Sequence, residues 1–282
     1  MLDFTYAMKE KIVKQTLEKW GIDYQEGVYH LEQLHGKKVL VKVGGDCLKD
    51  QSLAHNIADL CNVGLDLALV HGGGPQIDET MKESGIEIVK IGGYRAVPDK
   101  ATLNVVENAV LSVNSAILWQ LNSYGANPTL LQHALSATKM TPIMHDGQPF
   151  DLGYVGVVEG VKGELLKSSP LPVFHCVVED GNGQKYNVNA DLVAQSLVPH
   201  FDKYVSVTSV GGYMEGGKIV PCMNMEQAKS HMAQGGMAVK LDSMVSALEM
   251  SLQLSCAQMT SPSYLPHELL TEKGYGTMIV KE

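Results

Sequence analysis

Two glycine-rich turns follow the first two apolar segments of the chain. Lys42-Val43-Gly44-Gly45 ends one segment, and His71-Gly72-Gly73-Gly74-Pro75 ends the next. Glycine backbones let phosphate oxygens approach closely, and the start of the helix after each turn favours negative charge. A lysine inside a valine-rich segment also needs an anionic partner. The two turns therefore predict an anion site; the simpler alternative is a pair of tight turns with a solvated Lys42. We expect His71 to be structural.

The chain has one arginine, the residue type whose planar guanidinium can bind a carboxylate through two hydrogen bonds. Of the 22 lysine and arginine residues, Arg95 alone is an arginine, and it follows Gly92-Gly93. A guanidinium binds a carboxylate through two parallel hydrogen bonds, a geometry that a lysine ammonium lacks. We interpret Arg95 as a clamp for a small molecule with a carboxylate, on a loop that folds over the glycine turns. The alternative is a chance surface arginine.

A polar cluster lies at a predicted strand-to-helix junction. Asn187-Val188-Asn189-Ala190-Asp191 carries three polar side chains, although a helix cap needs only one of them. Lys240 follows Gly235-Gly236 at the start of another predicted helix. Lys42 and Lys240, facing each other across a cleft, would repel unless an anion or an aspartate lay between them. A transferred phosphoryl group is such an anion, with Asp191 as the candidate organiser, because this reaction needs mainly positioning and charge neutralisation. The alternative for Lys240 is a surface position.

The order of the apolar segments explains how these residues would meet. Strands are predicted over 37–43 and 65–70, each followed by a glycine turn and a helix. This repeat is typical of βαβ units and a parallel sheet, in which the strand carboxyl ends share one edge. The predicted fold is therefore α/β, a three-layer αβα sandwich with a mostly parallel open sheet. Further predicted elements are helices at 98–122, 225–234 and 238–252, a hairpin at 149–161, and strands at 127–132, 172–178, 204–207, 253–258 and 277–281.

Residues 1–36 are predicted to form an N-terminal helical arm that ends its first helix at Gly21. Its apolar residues recur at helical spacing: Phe4, Met8, Ile12, Val13, Leu17 and Trp20. Such an arm packs on its own body or on a neighbouring subunit, and the sequence leaves both open. The rest of the chain is predicted to form two lobes, 37–200 and 201–282, that share one continuous sheet.

Composition argues against several classes of protein. The formal net charge of −9 makes nucleic acid an unexpected partner. No apolar run approaches the roughly 20 residues of a membrane helix, so no membrane partner is expected. The five cysteines form no CxxC pair and no signal-peptide pattern is present, which favours the cytoplasm. P-loop, HExxH and GxSxG motifs are absent, no GxGxxG follows the first strand, and the ten histidines show no metal-ligand spacing. No protein metal site is predicted.

Together and in order, the motifs resemble the amino-acid kinase family over about residues 36–281. They are KVGG (42–45), HGGGP (71–75), YRAV (94–97), DLGYVG (151–156), YNVNAD (186–191), GGMAVK (235–240) and LLTEKGYGTMIVK (269–281). The resemblance implies a carbamate-kinase-like fold. Within the family it points to the branch that phosphorylates the γ-carboxylate of N-acetyl-L-glutamate with ATP in arginine biosynthesis. It also implies Mg²⁺ held mainly by the nucleotide, and an acyl phosphate as the product.

The resemblance further implies roles for individual residues. It implies that Lys42 and Lys240 stabilise the transition state and that Asp191 organises the two lysines. It implies that acetylglutamate is bound by Gly73, Gly74, Arg95 and Asn187, and that Arg95 binds a carboxylate of the substrate. It implies that the transferred phosphoryl group and the nucleotide are bound by Gly44, Gly45, Thr208, Ser209 and Gly211.

Three departures from the commoner bacterial members leave alternatives open. Ser209 stands where an aspartate is usual, residues 131–136 stand near the place of a glycine-rich segment, and Ala96-Val97 follows Arg95 in place of Val-Thr. These features resemble the branch in which a kinase domain is fused to an acetyltransferase, a second domain that we do not expect here. One alternative is a catalytically silent regulatory domain that binds arginine or acetylglutamate. Another is an acyl kinase with a different substrate, such as an aminoadipate derivative.

The arm resembles the extra helix of arginine-inhibited family members, in which such arms interlace dimers into a hexamer. We therefore expect a homo-oligomer, with arginine as a candidate feedback inhibitor. The expectation of arginine feedback rests on the arm alone.

Overall fold

Helices cover both faces of a central sheet in the computed structural model, which describes residues 2–231 and 236–281. Gly21 ends the first helix with a φ of 69°, and Asp99 caps the fifth. The helices of the described residues are α1 (Leu2–Trp20), α2 (Tyr24–Leu34), α3 (Gln51–Asn62), α4 (Gly74–Glu83), α5 (Lys100–Ser123), α6 (Ala190–Leu197), α7 (Met225–Ser230), α8 (Gly236–Met250) and α9 (Leu265–Leu270).

The strands of the same residues form one large sheet and several small ones. In chain order they are β1 (Lys38–Val43), β2 (Asp66–His71), β3 (Lys90–Ile91), β4 (Tyr94–Arg95), β5 (Pro128–Leu130), β6 (Leu135–Lys139), β7 (Ile143–His145), β8 (Gln148–Phe150), β9 (Val155–Val161), β10 (Leu171–Phe174), β11 (Val177–Glu179), β12 (Lys185–Val188), β13 (Lys203–Val207), β14 (Met214–Glu215), β15 (Lys218–Ile219), β16 (Cys222–Asn224), β17 (Cys256–Thr260) and β18 (Thr277–Val280).

The large sheet has the strand order β16-β18-β17-β13-β1-β2-β10-β5. Neighbouring strands are parallel except for the antiparallel pair β17–β18. The predicted α/β class with a mostly parallel open sheet is confirmed. Four strands come from residues 37–200 and four from 201–282, so the sheet runs through both predicted lobes. The lobe boundary itself stays a prediction.

Alternation along β1 decides which layer each side chain enters. Val39, Val41 and Val43 pack in the core that also holds α3, α9 and the end of the arm. Leu40 points the other way, into the core that holds α6 and α8. Because side chains alternate along a strand, Lys42 shares the face of Leu40. The lysine is therefore directed towards the layer that contains α6.

The predicted hairpin at 149–161 is wrong. Residues 148–150 form β8 and pair with β7, whereas β9 pairs with β6 and β12 in a second sheet of order β11-β12-β9-β6. Gly153, expected in the hairpin turn, has a φ of 78° and lies against Val97, whose carbonyl oxygen a Cβ would strike. Glycine serves a close backbone approach here, and the sequence signal for that use equals the signal for a turn.

The arm packs on its own body. Leu17 of α1 is fully buried, and α2 packs on α9. Trp20 Nε1 donates a hydrogen bond to Asn56 Oδ1 of α3 at 3.0 Å. Of the two arrangements left open by the sequence, contact with the same subunit is present, and contact with a neighbour stays a prediction. The side chains of Phe4 and Met8 lie outside the described residues, as do residues 232–235 of the predicted helix at 225–234.

Among the described residues, α5 is the one helix with the length and apolar composition of a membrane span. Its apolar residues Leu103, Val106 and Val110 are buried, and it packs against α3 and α4. Core helices of this length pass the same compositional test. We interpret α5 as a core helix.

Candidate active site

The carboxyl ends of β1 and β2 border an open cleft of about 340 Å³. The cleft is walled by the two glycine turns, the β3–β4 hairpin and the starts of α6 and α8. Nine of the predicted site residues line it: Lys42, Gly44, Gly45, Gly73, Gly74, Arg95, Asn187, Asp191 and Lys240. The structure therefore brings together motifs that lie far apart in the sequence, whereas their individual roles stay predictions.

Lys42 and Asp191 form a buried ion pair in this cleft. Lys42 Nζ lies 2.5 Å from Asp191 Oδ1, and the two residues are 3% and 9% exposed. Asn189 caps α6 by accepting the N–H of Asp191 at 2.8 Å, which fixes the carboxylate on the first helical turn. A buried ammonium requires a partner of this kind. Asn189 thus has a capping role, and all three polar residues of the cluster, Asn187, Asn189 and Asp191, line the cleft.

Lys240 lies half-buried near the start of α8 and lines the same cleft. Within the described residues its ammonium has no carboxylate partner inside 4.0 Å. Asp191, predicted to organise both lysines, forms its ion pair with Lys42. Gly235, which begins the GGMAVK motif, lies outside the described residues.

Arg95 is buried and already engaged with an acidic residue. Its guanidinium donates to the carboxylate of Asp78 on α4 and to the carbonyl oxygen of Gly74 at 3.1 Å. Gly92 and Gly93 form the two-residue turn of the β3–β4 hairpin, with φ values of 58° and 84°. A turn of this kind needs positive φ at both positions, which explains both glycines. The hairpin, rather than a flexible loop, presents the arginine.

Asp78 is a second acidic residue that the sequence reasoning missed. Its carboxylate also accepts from Lys90 Nζ at 2.6 Å. Burial raises the pKa of Asp78, but the hydrogen bonds from Arg95 and Lys90 outweigh burial and the pKa is lowered. Asp78 is therefore an anion that holds the Arg95 guanidinium. The available signal was indirect: a buried arginine needs an acid nearby, and Asp78 follows Pro75 by three positions.

The two glycine turns touch, and their glycines serve different purposes. A Cβ on Gly45 would meet Gly74 N and Pro75 Cδ at 2.8 Å, so Gly45 permits the close contact. A Cβ on Gly74 would meet no protein atom within 4 Å, which leaves this position open towards the cleft. The N–H of Gly44 donates to Val207 O at 3.0 Å and is not free for a phosphoryl group. Gly45 begins a short 3₁₀ helix, so its N–H has no acceptor within that helix.

The 208–211 turn, which follows β13, lies at the same edge of the sheet. The N–H of Thr208 donates to Thr260 O at 2.8 Å, and Gly211, with a φ of 75°, donates to Thr208 O at 3.1 Å. Ser209 donates its hydroxyl to the carboxylate of Asp46, which itself lines the cleft. Thr208, Ser209 and Gly211 do not line the cleft themselves, and their predicted nucleotide role stays a prediction.

Asp46 is the other functional candidate that the sequence reasoning missed. It follows Gly44-Gly45 directly, and this adjacency was the available signal. Burial raises its pKa, but the hydrogen bond from Ser209 and the charge of Lys240 together lower it. The cleft therefore contains two aspartates, Asp46 and Asp191, as well as two lysines.

His71 has the structural role that we expected. It is fully buried, and its ring nitrogens lie 2.9 Å from Gly72 O and 3.2 Å from Asn114 Oδ1. Burial lowers the pKa of His71, which favours the neutral ring. The histidine thus supports the second glycine turn through its contact with Gly72 O, and it does not line the cleft.

Comparison with known proteins agrees with this geometry. Residues 37–257 match the amino acid kinase family. The chain is 34% identical to an acetylglutamate kinase from Nitratidesulfovibrio vulgaris (strain DP4), over 91% of each protein.

Two solved structures share the fold. An N-acetylglutamate synthase from Neisseria gonorrhoeae, complexed with coenzyme A and N-acetyl-glutamate, has a TM-score of 0.82 at 22% identity; the match covers 92% of this chain and 63% of the synthase. A carbamate kinase from Giardia lamblia bound to AMP-PNP has a TM-score of 0.60 at 14% identity, covering 87% of this chain and 99% of the kinase. These two likenesses show the fold alone. From the family match and the identity to its kinase relative, the chain belongs to the amino acid kinase family.

Proposed function

We propose that the protein transfers the γ-phosphoryl group of ATP to the γ-carboxylate of N-acetyl-L-glutamate, which yields ADP and an acyl phosphate. The observation that carries this proposal is the cleft in which the Lys42–Asp191 pair, Lys240 and Arg95 meet. The relative from Nitratidesulfovibrio vulgaris, which is named for this activity and matches over 91% of the chain, supports the choice of substrate.

The reaction suits a site without a general base. A glutamate-type carboxyl group has an ordinary pKa of about 4.3, so it is already ionised near neutral pH. Its oxygen forms the new bond to phosphorus while the bond from phosphorus to the β–γ bridging oxygen breaks. The protein then has to position the reactants and neutralise developing charge. Lys42 and Lys240 would do so from two sides of the phosphoryl group.

The Mg²⁺ that accompanies ATP would need few ligands from the protein. Mg²⁺ bound with ATP supplies further charge neutralisation at the β- and γ-phosphates. Within residues 2–231 and 236–281, no cluster of three or more His, Cys, Asp or Glu side chains could hold a metal ion. We propose, as the family resemblance implies, that the nucleotide would hold most of the coordination of the ion. Asp191 would remain on Lys42 and keep that lysine in place.

Acyl-phosphate formation is the direct test. The protein is incubated with N-acetylglutamate, MgATP and hydroxylamine, which traps an acyl phosphate as a hydroxamate. We expect a signal that requires both substrates and is strongly reduced in Lys240→Ala, a half-buried position whose loss leaves no buried charge unpaired. A folded wild-type protein that binds acetylglutamate but neither binds MgATP nor gives a signal would instead favour the silent regulatory domain. A stronger signal with an aminoadipate derivative would identify the other acyl kinase.

We also propose a cytoplasmic homo-oligomer that arginine inhibits. The arm supports the assembly and arginine parts of this proposal, and five free cysteines suit a reducing compartment. Deletion of residues 1–34 would be expected to abolish both high-order assembly and the arginine response. That deletion also removes Leu17 and Leu34 from the core, so it must be paired with a substitution on the exposed side of α1.

A further inference from the structure

Asp46 connects two turns that lie 163 residues apart. It is the second residue of the short helix Gly45–Lys49 that follows β1. Its carboxylate accepts a hydrogen bond from the hydroxyl of Ser209 in the 208–211 turn. The bond therefore ties the first glycine turn to the turn after β13. Helix capping does not explain the presence of an aspartate at position 46, because Asp50 caps the next helix, α3.

The position of this carboxylate is built into the glycine turn. Gly44 has φ −64° and ψ 145°, a backbone conformation that any residue adopts. A Cβ at Gly44 would nevertheless clash with Asp46 Oδ1, while the next nearest atom, Val207 O, lies at 3.5 Å. The glycine thus leaves room for the aspartate side chain to fold back over the turn.

Asp46 also supplies the negative charge that Lys240 otherwise lacks. Lys42 already has Asp191 as its partner. The charge of Lys240 lowers the pKa of Asp46 against the opposing effect of burial, so the two side chains attract each other. Both line the cleft. A long lysine side chain on a helix surface loses rotamer freedom when it is held in one place, and a fixed opposite charge offsets part of that cost.

We propose that Asp46 is a positioning residue for phosphoryl transfer: it draws the Lys240 ammonium over the cleft and anchors the 208–211 turn through Ser209. The inference rests on the proposed kinase function. In this arrangement Asp191 pairs directly with Lys42, and Asp46 acts on Lys240 by longer-range attraction. The first glycine turn then sets the geometry on both sides of the phosphoryl group.

Two substitutions separate the charge of Asp46 from its hydrogen bond. Asp46→Asn keeps an acceptor for Ser209 but removes the charge, whereas Ser209→Ala removes the hydroxyl donor and keeps the charge. We expect Asp46→Asn to lower kcat by about tenfold, within the range of measured couplings between neighbouring residues, and to leave the KM for acetylglutamate unchanged. We expect Ser209→Ala to have a smaller effect on kcat. Asp50→Asn, which retains a good helix cap on an exposed residue nearby, serves as the matched control and should behave as wild type.

The decisive measurement is the double-mutant cycle of Asp46→Asn with Lys240→Ala. If Asp46 acts through Lys240, Asp46→Asn should change kcat less than about twofold in the Lys240→Ala background. An equal tenfold loss in both backgrounds, or a wild-type kcat for Asp46→Asn, would overturn the proposal. A lowered melting temperature in Asp46→Asn with additive kinetics would mark a structural role only, and would overturn it as well.

A binding measurement distinguishes this inference from the kinase proposal. The same four proteins are titrated with Mg–AMP-PNP by calorimetry. Should the wild type form no acyl phosphate, the kinase proposal fails, and the coupling between Asp46 and Lys240 is still read from the four affinities. Non-additive affinities support the positioning role, and additive affinities contradict it.

Discussion

Lys42 Nζ lies 2.5 Å from Asp191 Oδ1, and both side chains are almost completely buried. The ammonium comes from β1 and the carboxylate from α6, so the pair joins the sheet to the helical layer above it. Removing one partner leaves a buried charge alone, which is more costly than removing both. This asymmetry separates the catalytic part of the pair from its structural part.

Lys42→Met is expected to lower kcat by roughly a hundredfold to a thousandfold, the usual effect of losing one transition-state donor. It should also lower the melting temperature, because Asp191 becomes an unpaired buried carboxylate. The double variant Lys42→Met/Asp191→Asn should regain most of the thermal stability and none of the activity. Recovery of activity in the double variant would contradict a catalytic role for Lys42.

Arg95→Lys is expected to raise the KM for acetylglutamate by about tenfold, because a charge-assisted hydrogen bond of the fork is lost. The KM for MgATP should stay the same. Steady-state kinetics with each substrate varied in turn provide the measurement. Asp78→Asn is the comparison variant, because it weakens the Arg95–Asp78 contact and leaves the guanidinium in place. An equal rise of KM in Asp78→Asn and Arg95→Lys would assign the effect to that contact rather than to the substrate.

Stability is expected to fall as the pH drops from about 6.5 towards 4. Burial lowers the pKa of His175 from 6.5 to about 4, and burial also lowers the pKa of His71. Below pH 6.5 the unfolded chain binds protons that the folded chain does not bind, which favours unfolding by up to about 1.4 kcal/mol per pH unit and group. Above this range both states are neutral, and the two histidines make no contribution to the pH dependence.

Urea denaturation between pH 7.5 and 4.5 measures this effect. His175→Gln should flatten the dependence, because glutamine can still accept the N–H of Val177 and does not titrate. The exposed His145→Gln is the control and should leave the curve unchanged. An identical slope in His175→Gln and wild type would rule out His175 as a source of acid sensitivity.

The arm offers a test of assembly that leaves the core intact. Ile12 is a 37% exposed apolar residue on α1, whereas Leu17 on the same helix is fully buried. If the arm contacts a neighbouring subunit, Ile12→Glu should reduce the particle mass in light scattering and weaken arginine inhibition, with an unchanged melting temperature. Lys14→Glu, an exposed position on the same helix, is the control for added negative charge. Unchanged mass and inhibition in Ile12→Glu would contradict assembly through this face.

The main sheet could be predicted because its signals are local. Apolar strands that end in glycine turns specify βαβ units, and parallel strands align their carboxyl ends. The strand order thus places Lys42 near Gly74 from the sequence alone. It failed at Gly153, since a glycine needed for close approach to Val97 has the same sequence appearance as a turn glycine.

Two acidic partners at the site, Asp46 and Asp78, could not be predicted from spacing. Asp46 reaches a serine 163 residues away, and Asp78 reaches Arg95 across a hairpin. Both contacts depend on how turns from different strands approach each other in three dimensions. The sequence located the cations of the site and Asp191, the partner of Lys42, but not Asp46 or Asp78.

If a substrate carboxylate binds Arg95, as we propose, the Arg95–Asp78 contact makes its arrival an exchange of partners. The guanidinium is buried and is held in one orientation by Asp78 and Gly74. A carboxylate that binds it would therefore not have to fix the arginine side chain in place. A displaced Asp78 would keep Lys90 as a counter-ion at 2.6 Å. The number of ion pairs therefore changes little on binding. Because added salt would screen the lost and the gained contacts alike, we expect the contribution of this end of the cleft to affinity to vary little with ionic strength.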